Sequence, residues 1–313
     1  MDIEEQKQIK YTINNSQQTN WENNKRISFH LELKANRNNT INITINFLKM
    51  RKSITTAAVI LMTTFGAQIQ ASTVSPNTIV IVHGAWSSAA DFKYVEAELK
   101  KSGNEVITVN LPGHGSDNTP VGSLTMQGYV DAVKTAIGKR KNIILVGHSF
   151  GGMVISETAE QIPGQIKKLI YLCAYLPNNG ESLFSISAAD KETHIGQYIQ
   201  PDEKSGVVGI AKEGILDFFA ADAPKKIADV LVANFKPEPM GPMATPVALT
   251  DANFGKIDKV YIFTENDHAI GLTLQKSMAK KANITKTYSL PTSHTPFFSQ
   301  PAALASILHK EAK

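Results

Sequence analysis

The chain has 313 residues, a formal net charge of +4, 42% hydrophobic and 19% charged residues, and one cysteine. Length and apolar fraction allow a large packed core, while a lone cysteine excludes a disulfide framework and any thiolate-rich zinc or iron–sulfur site. The charge surplus sits in residues 1–71, where nine Lys/Arg face five Asp/Glu; the remaining 23 basic and 23 acidic residues cancel. A neutral body offers no electrostatic footprint for nucleic acid.

Residues 1–49 contain no Gly or Pro, and ten of the 49 are Asn, a composition that predicts a disordered extension. At Met50 the pattern changes. Met50-Arg51-Lys52 is a short basic start, Ile54 to Phe65 is mostly apolar, and Ala67 to Ala71 is small and polar. These are the three regions of a secretory signal peptide, expected over residues 50–71 with cleavage after Ala71. The apolar run falls short of the roughly 20 residues that span a bilayer, so no stable membrane anchor is expected. The simplest reading makes Met50 the true start, residues 1–49 a mis-assigned upstream stretch, and the product secreted or periplasmic. The other is a genuine extension ahead of an internal signal-anchor.

Residues 72–313 alternate strands and helices. Thr78–Val82 is a continuous β-branched run, as in a strand buried on both faces of a parallel sheet. A helix is predicted over 90–101, a strand over 105–109, a helix over 126–137, a strand over 142–146, a helix over 152–161 and a strand over 168–174. After a long interruption follow a strand (259–264), a helix (272–282), a strand (285–290) and a helix (302–310). This rhythm predicts an α/β fold with a doubly wound, mostly parallel sheet. The interruption, about 176–255, is too long for an ordinary connection. It reads as an inserted, largely helical cap over the carboxyl edge of the sheet, where ligands bind in such folds.

The pentapeptide Gly147-His148-Ser149-Phe150-Gly151 ends one predicted strand and opens the next helix. A G-x-S-x-G sequence in that setting is a sharp, strained turn that holds a serine hydroxyl above the sheet edge. Serine needs a base, and the base needs an orienting carboxylate. The strand over 259–264 runs into Glu265-Asn266-Asp267-His268, which makes Asp267 the expected acid, with Glu265 as a nearby competitor. The last strand leads to Pro291-Thr292-Ser293-His294, which makes His294 the expected base. Backbone N–H donors for an oxyanion are expected from Phe150 and, in His83-Gly84-Ala85-Trp86, from Ala85. Trp86, Phe218 and Phe219 are candidates for the pocket wall, with the Pro237–Met243 stretch beside them.

His148 and His114 read as structural and Cys173 as a small core residue. No closely spaced His/Asp ligand set is visible, so no metal is expected. No P-loop or G-x-G-x-x-G motif suggests a nucleotide.

From Ile81-Val82-His83-Gly84-Ala85-Trp86 through Leu111-Pro112-Gly113-His114-Gly115, Gly147–Gly151 and Ser293-His294, the chain resembles the α/β-hydrolase superfamily. Within it the chain is most similar to the group of plant methylesterases, hydroxynitrile lyases and bacterial pyrethroid-hydrolase-like carboxylesterases. The resemblance covers essentially residues 77–312, the cap only loosely, and Asn110 stands where Asp often precedes the Leu-Pro-Gly-His-Gly turn. It implies a Ser149–Asp267–His294 triad that hydrolyses carboxylic esters through an acyl-enzyme, without a cofactor, and the apolar side chains of the cap suggest a small apolar ester. Lyases of the group carry Thr at the position of Gly84 and Lys at that of Thr295, which favours hydrolysis here over a C–C lyase. The same fold also serves as non-turnover small-ligand receptors, a role that suits an exported chain less well.

Overall fold

The computed structural model describes residues 77–313 throughout and, ahead of them, the backbone of Thr12–Ile13, Arg26–Ala35 and Asn39–Leu48. The chain divides into two units, Met1–Ser72 and Thr73–Lys313. The described pieces of the first are strands, where composition predicted disorder: Arg26–Ala35 pairs antiparallel with Asn39–Leu48, and Thr12–Ile13 adds a short third strand. The physical reason is an alternation that the asparagine count conceals. Ile27, Phe29, Leu31 and Leu33 recur at period two, as do Ile41, Ile43, Ile45 and Phe47, and the register sets each of the first against one of the second. The expected signal peptide, residues 50–71, lies outside the described residues.

The second unit is built on six strands: β1 (Thr78–Val82), β2 (Glu105–Val109), β3 (Ile143–His148), β4 (Ile166–Leu172), β5 (Asp258–Thr264) and β6 (Thr287–Leu290). Their order is β6-β5-β4-β3-β1-β2, and every neighbouring pair is parallel. Five helices accompany them: α1 (Lys93–Lys101), α2 (Met126–Ile137), α3 (Gly151–Gln161), α6 (Leu272–Lys281) and α7 (Pro301–Ala312), while α4 (Lys212–Phe219) and α5 (Lys225–Asn234) lie in the cap. The predicted α/β architecture is therefore present, with element ends shifted by a few residues. The first helix opens as a 3-10 turn, Ala89–Phe92, held by the Ser88–Asp91 capping box. Helix α2 starts at Met126 because the Thr125 hydroxyl accepts the N–H of Gly128.

Strand alternation divides the core. Ile79 and Ile81 of β1 pack with Val95 and Leu99 of α1 and Leu304 and Leu308 of α7. Val80 and Val82 face the other way, into a cluster with Val130 and Val133 of α2, Met153 and Val154 of α3 and Met278 of α6. All of these are buried. At about 25 cal/mol per Å² of apolar surface removed from water, these two layers are the main stabilising term.

The largely helical cap also carries strands. It holds α4 (Lys212–Phe219), α5 (Lys225–Asn234) and two one-turn helices, Leu183–Ser187 and Met240–Ala244. It also holds a small antiparallel sheet in which Val207–Ile210 lies between Ile199–Asp202 and Glu238–Pro239. The cause is local. The Val207-Val208-Gly209-Ile210 run favours strand, and Asp202 to Gly206 turns back on itself, with the Asp202 carboxylate accepting the Ser205 N–H and Gly206 at φ +67°. Among the described residues, no helix is long and apolar enough to cross a membrane.

Candidate active site

The carboxyl ends of β1, β3, β5 and β6 deliver the predicted residues to one edge. Ser149 follows β3 with φ +52°, a left-handed conformation that a non-glycine residue adopts only when its surroundings enforce it. They do so here: its N–H donates to the Leu172 carbonyl, and its own carbonyl accepts N–H groups from Gly152 and Tyr175. A Cβ on Gly151 would lie 2.6 Å from the Val82 and His83 carbonyl oxygens, so strand and helix approach this closely only because glycine stands there.

His294 and Asp267 come together across two loops. The His294 Nδ1–H donates to Asp267 Oδ2 at 2.7 Å, both side chains being essentially buried. The remaining Asp267 lone pairs are filled by the N–H groups of Ala269 (2.8 Å) and Ile270 (2.9 Å), the Thr264 hydroxyl (2.6 Å) and the Gln275 amide (3.2 Å). A carboxylate with this many donors is fixed in place. Glu265, the competitor, is exposed. The bond to Asp267 fixes the tautomer of His294, which leaves Nε2 as the acceptor.

Ser149 and His294 line one cavity of about 450 Å³. Its walls are mainly apolar and include Ala85, Trp86, Tyr175, Leu183, Phe219, Met240, Met243 and Ile270. Of the three proposed wall residues, Trp86 and Phe219 are present, but Phe218 is not. It is fully buried in a small cluster where Ile210 and Ile215 of the cap meet Ala269 of the loop that carries Asp267. One residue along a helix turns about 100°, so the two phenylalanines of α4 point in different directions. Tyr175, Leu183 and Ile270 carried no motif in the sequence. A second cavity of about 540 Å³ also touches Trp86 and Phe219 but not Ser149, so those two rings are shared between the cavities.

Among the described residues, the N–H groups of Ala85 and Phe150 find no acceptor, although both residues are buried. Ala85 lines the cavity with Ser149, and Phe150 directly follows Ser149 in the chain. The loop before them is anchored by two imidazoles. His83 accepts the Leu111 N–H on Nε2 and donates from Nδ1 to the Gly84 carbonyl. Burial pulls its pKa down to about 3, so it stays neutral. His148 donates from Nε2 to the His294 carbonyl at 2.9 Å, and burial together with the nearby His294 holds it well below the ordinary value. His114 is the exception. Burial opposes its charge, but the Glu238 carboxyl group 2.9 Å from Nε2 outweighs that and raises its pKa.

At the two positions that distinguish the lyases, a Cβ on Gly84 would lie 2.6 Å from the Ser149 Cβ. Thr295 is buried and spends its hydroxyl on the Phe219 carbonyl at 2.8 Å.

Comparison with known proteins identifies the family. The profile described as "Alpha/beta hydrolase family" matches residues 79–307. "Putative methylesterase 11, chloroplastic" of Arabidopsis thaliana is 31% identical over 252 residues, 76% of this chain and 64% of the relative, so the chain spans just under two thirds of that protein. A pyrethroid hydrolase of Sphingobium wenxiniae is 28% identical over 240 residues, covering 74% and 85%. Among solved structures, the pyrethroid hydrolase PytH superposes with a TM-score of 0.69 at 25% identity, over 76% of this chain and 98% of that one. An extracellular alpha/beta-hydrolase from a Paenibacillus species does so with 0.66 at 26% identity, over 75% and 98%. With a family profile matched across nearly the whole second unit, and a six-stranded parallel sheet carrying the serine turn at its edge, the chain belongs to the alpha/beta hydrolase family.

Proposed function

We propose that the chain is a carboxylesterase in which Ser149 is the nucleophile, His294 the general base and Asp267 the residue that orients it. The observation that carries this reading is the buried His294–Asp267 bond on a cavity that His294 shares with Ser149. His294 Nε2 takes the Ser149 proton as Oγ attacks the ester carbonyl, and the developing oxyanion is met by the N–H groups of Ala85 and Phe150. The imidazolium then returns its proton to the leaving alcohol, and water repeats the sequence on the acyl-enzyme. No cofactor enters these steps. The apolar walls suit a small apolar ester, and the methylesterase and pyrethroid hydrolase names of the relatives support that substrate class. Gly84 and Thr295 supply neither the hydroxyl nor the ammonium of the related lyases, which leaves hydrolysis as the favoured reaction.

The test is a panel of aryl and alkyl esters followed to multiple turnover, with stoichiometric labelling by a fluorophosphonate. Ser149→Ala should lose both label and turnover. Asp267→Asn should lower kcat by about 10³–10⁴, because the favoured tautomer of His294 is lost, while Glu265→Gln should leave it within about threefold. Labelling at another residue, or the reverse ranking of the two acid variants, overturns the assignment. The proposal extends to export directed by Met50–Ala71, and a mature N-terminus near Ser72 in the secreted product would support it.

A further inference from the structure

Three groups that the sequence places far apart meet on the rim of the cap. His194 lies in the cap before its small sheet, Asp217 is on α4, and His268 directly follows Asp267. The separations are 23 and 51 residues, too wide for any spacing motif. His194 Nδ1 stands 2.7 Å from Asp217 Oδ2, and His268 Nδ1 stands 2.7 Å from Asp217 Oδ1. Both imidazoles thus converge on one carboxylate, with ring centroids 4.2 Å apart, and the donor atoms of all three lie within 4.8 Å of one another. The backbone reinforces the arrangement, since the His194 N–H donates to the His268 carbonyl at 2.8 Å. The histidines are about 40% exposed and the aspartate 23%, so the cluster is open to solvent on one side.

We propose that His194, Asp217 and His268 form a binding site for a borderline divalent cation such as Zn²⁺. Two imidazole nitrogens and a carboxylate match its preference in ligand type, and the open side leaves positions for water. Adjacent ligands about 2.1 Å from a tetrahedral ion sit about 3.4 Å apart, so the 2.7 Å contacts need open by about 0.7 Å. Protons balance without loss. Each imidazole moves its proton from Nδ1 to Nε2, which has no partner among the described residues, and the ion takes the place of the two N–H···O bonds. The ion would tie α4, whose last residue is the pocket-wall Phe219, to the loop that carries Asp267. The site does not depend on the esterase reading. It revises the sequence expectation of no metal, which considered residues near in sequence.

The test uses the full chain with any affinity tag removed, stripped with EDTA, and titrated calorimetrically with ZnCl₂ alone. One Zn²⁺ per chain should bind with a Kd in the micromolar range, and excess Zn²⁺ should raise the Tm by roughly 3–6 °C. CoCl₂ should give visible absorption bands that ZnCl₂ displaces. Asp217→Asn and His268→Gln should each weaken Zn²⁺ binding at least tenfold, and His309→Gln, away from the cluster, should not. Should either variant fold poorly, His194→Gln, in an exposed part of the cap, must show the same loss. Absence of binding by the stripped chain at 1 mM Zn²⁺, or undiminished binding in these variants, overturns the site.

Discussion

The N–H of Trp86 donates to Glu238 Oε2 at 2.7 Å, which ties the loop that presents Ala85 to a cap strand. Trp86 has φ +56°, and its indole N–H donates to the Val208 carbonyl at 2.9 Å, so cap and loop are joined twice. The same Glu238 oxygen faces His114 Nε2, and Glu238 is fully buried. Glu238→Ala leaves the Trp86 and His114 donors unpaired in a dry site, at a cost of roughly 2–4 kcal/mol. Through the displaced Ala85 N–H, it should also lower kcat by about 10–100-fold with little change in KM. Glu238→Gln keeps an acceptor for Trp86 and should stay within about threefold in kcat. Steady-state kinetics with thermal melts checks both; equal loss in the two variants would mean that the charge, not the hydrogen bond, matters.

The strained turn predicts opposite effects on stability and activity. Ser149→Ala keeps the left-handed backbone and should melt close to the parent. Ser149→Gly relieves a strain of order 1–3 kcal/mol, partly offset by the roughly 0.5–1 kcal/mol entropic cost of glycine, and should melt about 2–4 °C higher. Both should lose about 10⁴–10⁶ in kcat. Calorimetry and ester turnover on the same preparations provide the measurement, and a lower Tm for the glycine variant counts against strain at this turn.

The two phenylalanines of α4 should separate cleanly. Phe219→Ala opens the wall between the two cavities and should favour bulky over small esters, shifting their kcat/KM ratio by more than tenfold. Phe218→Ala removes a fully buried ring and should cost about 3–5 kcal/mol, with the order of esters unchanged. The ester panel used for turnover, run beside urea unfolding, distinguishes these effects.

Acid sensitivity should have one identifiable source in Glu311. Burial opposes its charge, but the Lys168 ammonium at 2.8 Å, the Tyr288 hydroxyl and the Lys286 ammonium at 2.9 Å outweigh that and bring its pKa down to about 2. A folded-state pKa below the ordinary 4.5 means stability that is fully present above pH 4.5 and lost as pH falls toward 2. Glu311→Gln should therefore lower the Tm by roughly 5–10 °C at pH 7, from a contribution of about 3 kcal/mol. The gap should close as the pH is lowered through that window, and a gap independent of pH would point to packing instead.

Period and local turn chemistry suffice for what the sequence determines by itself. The β-branched run of β1, the Val130–Val133 stripe of α2 and the glycine-flanked Ser149 follow from near neighbours, and so do the placements of Asp267 and His294 just past strand ends. The alternation in Arg26–Ala35 and Asn39–Leu48 is equally local, though obscured by composition. What tertiary structure alone decides is which distant groups meet. The Glu238–Trp86 bond spans 152 residues, and the His194–Asp217–His268 cluster draws on three separate segments. The choice of Phe219 over Phe218 depends on how α4 is rotated against the sheet domain, and that rotation is set by apolar burial shared between cap and core, not by any pattern within the helix.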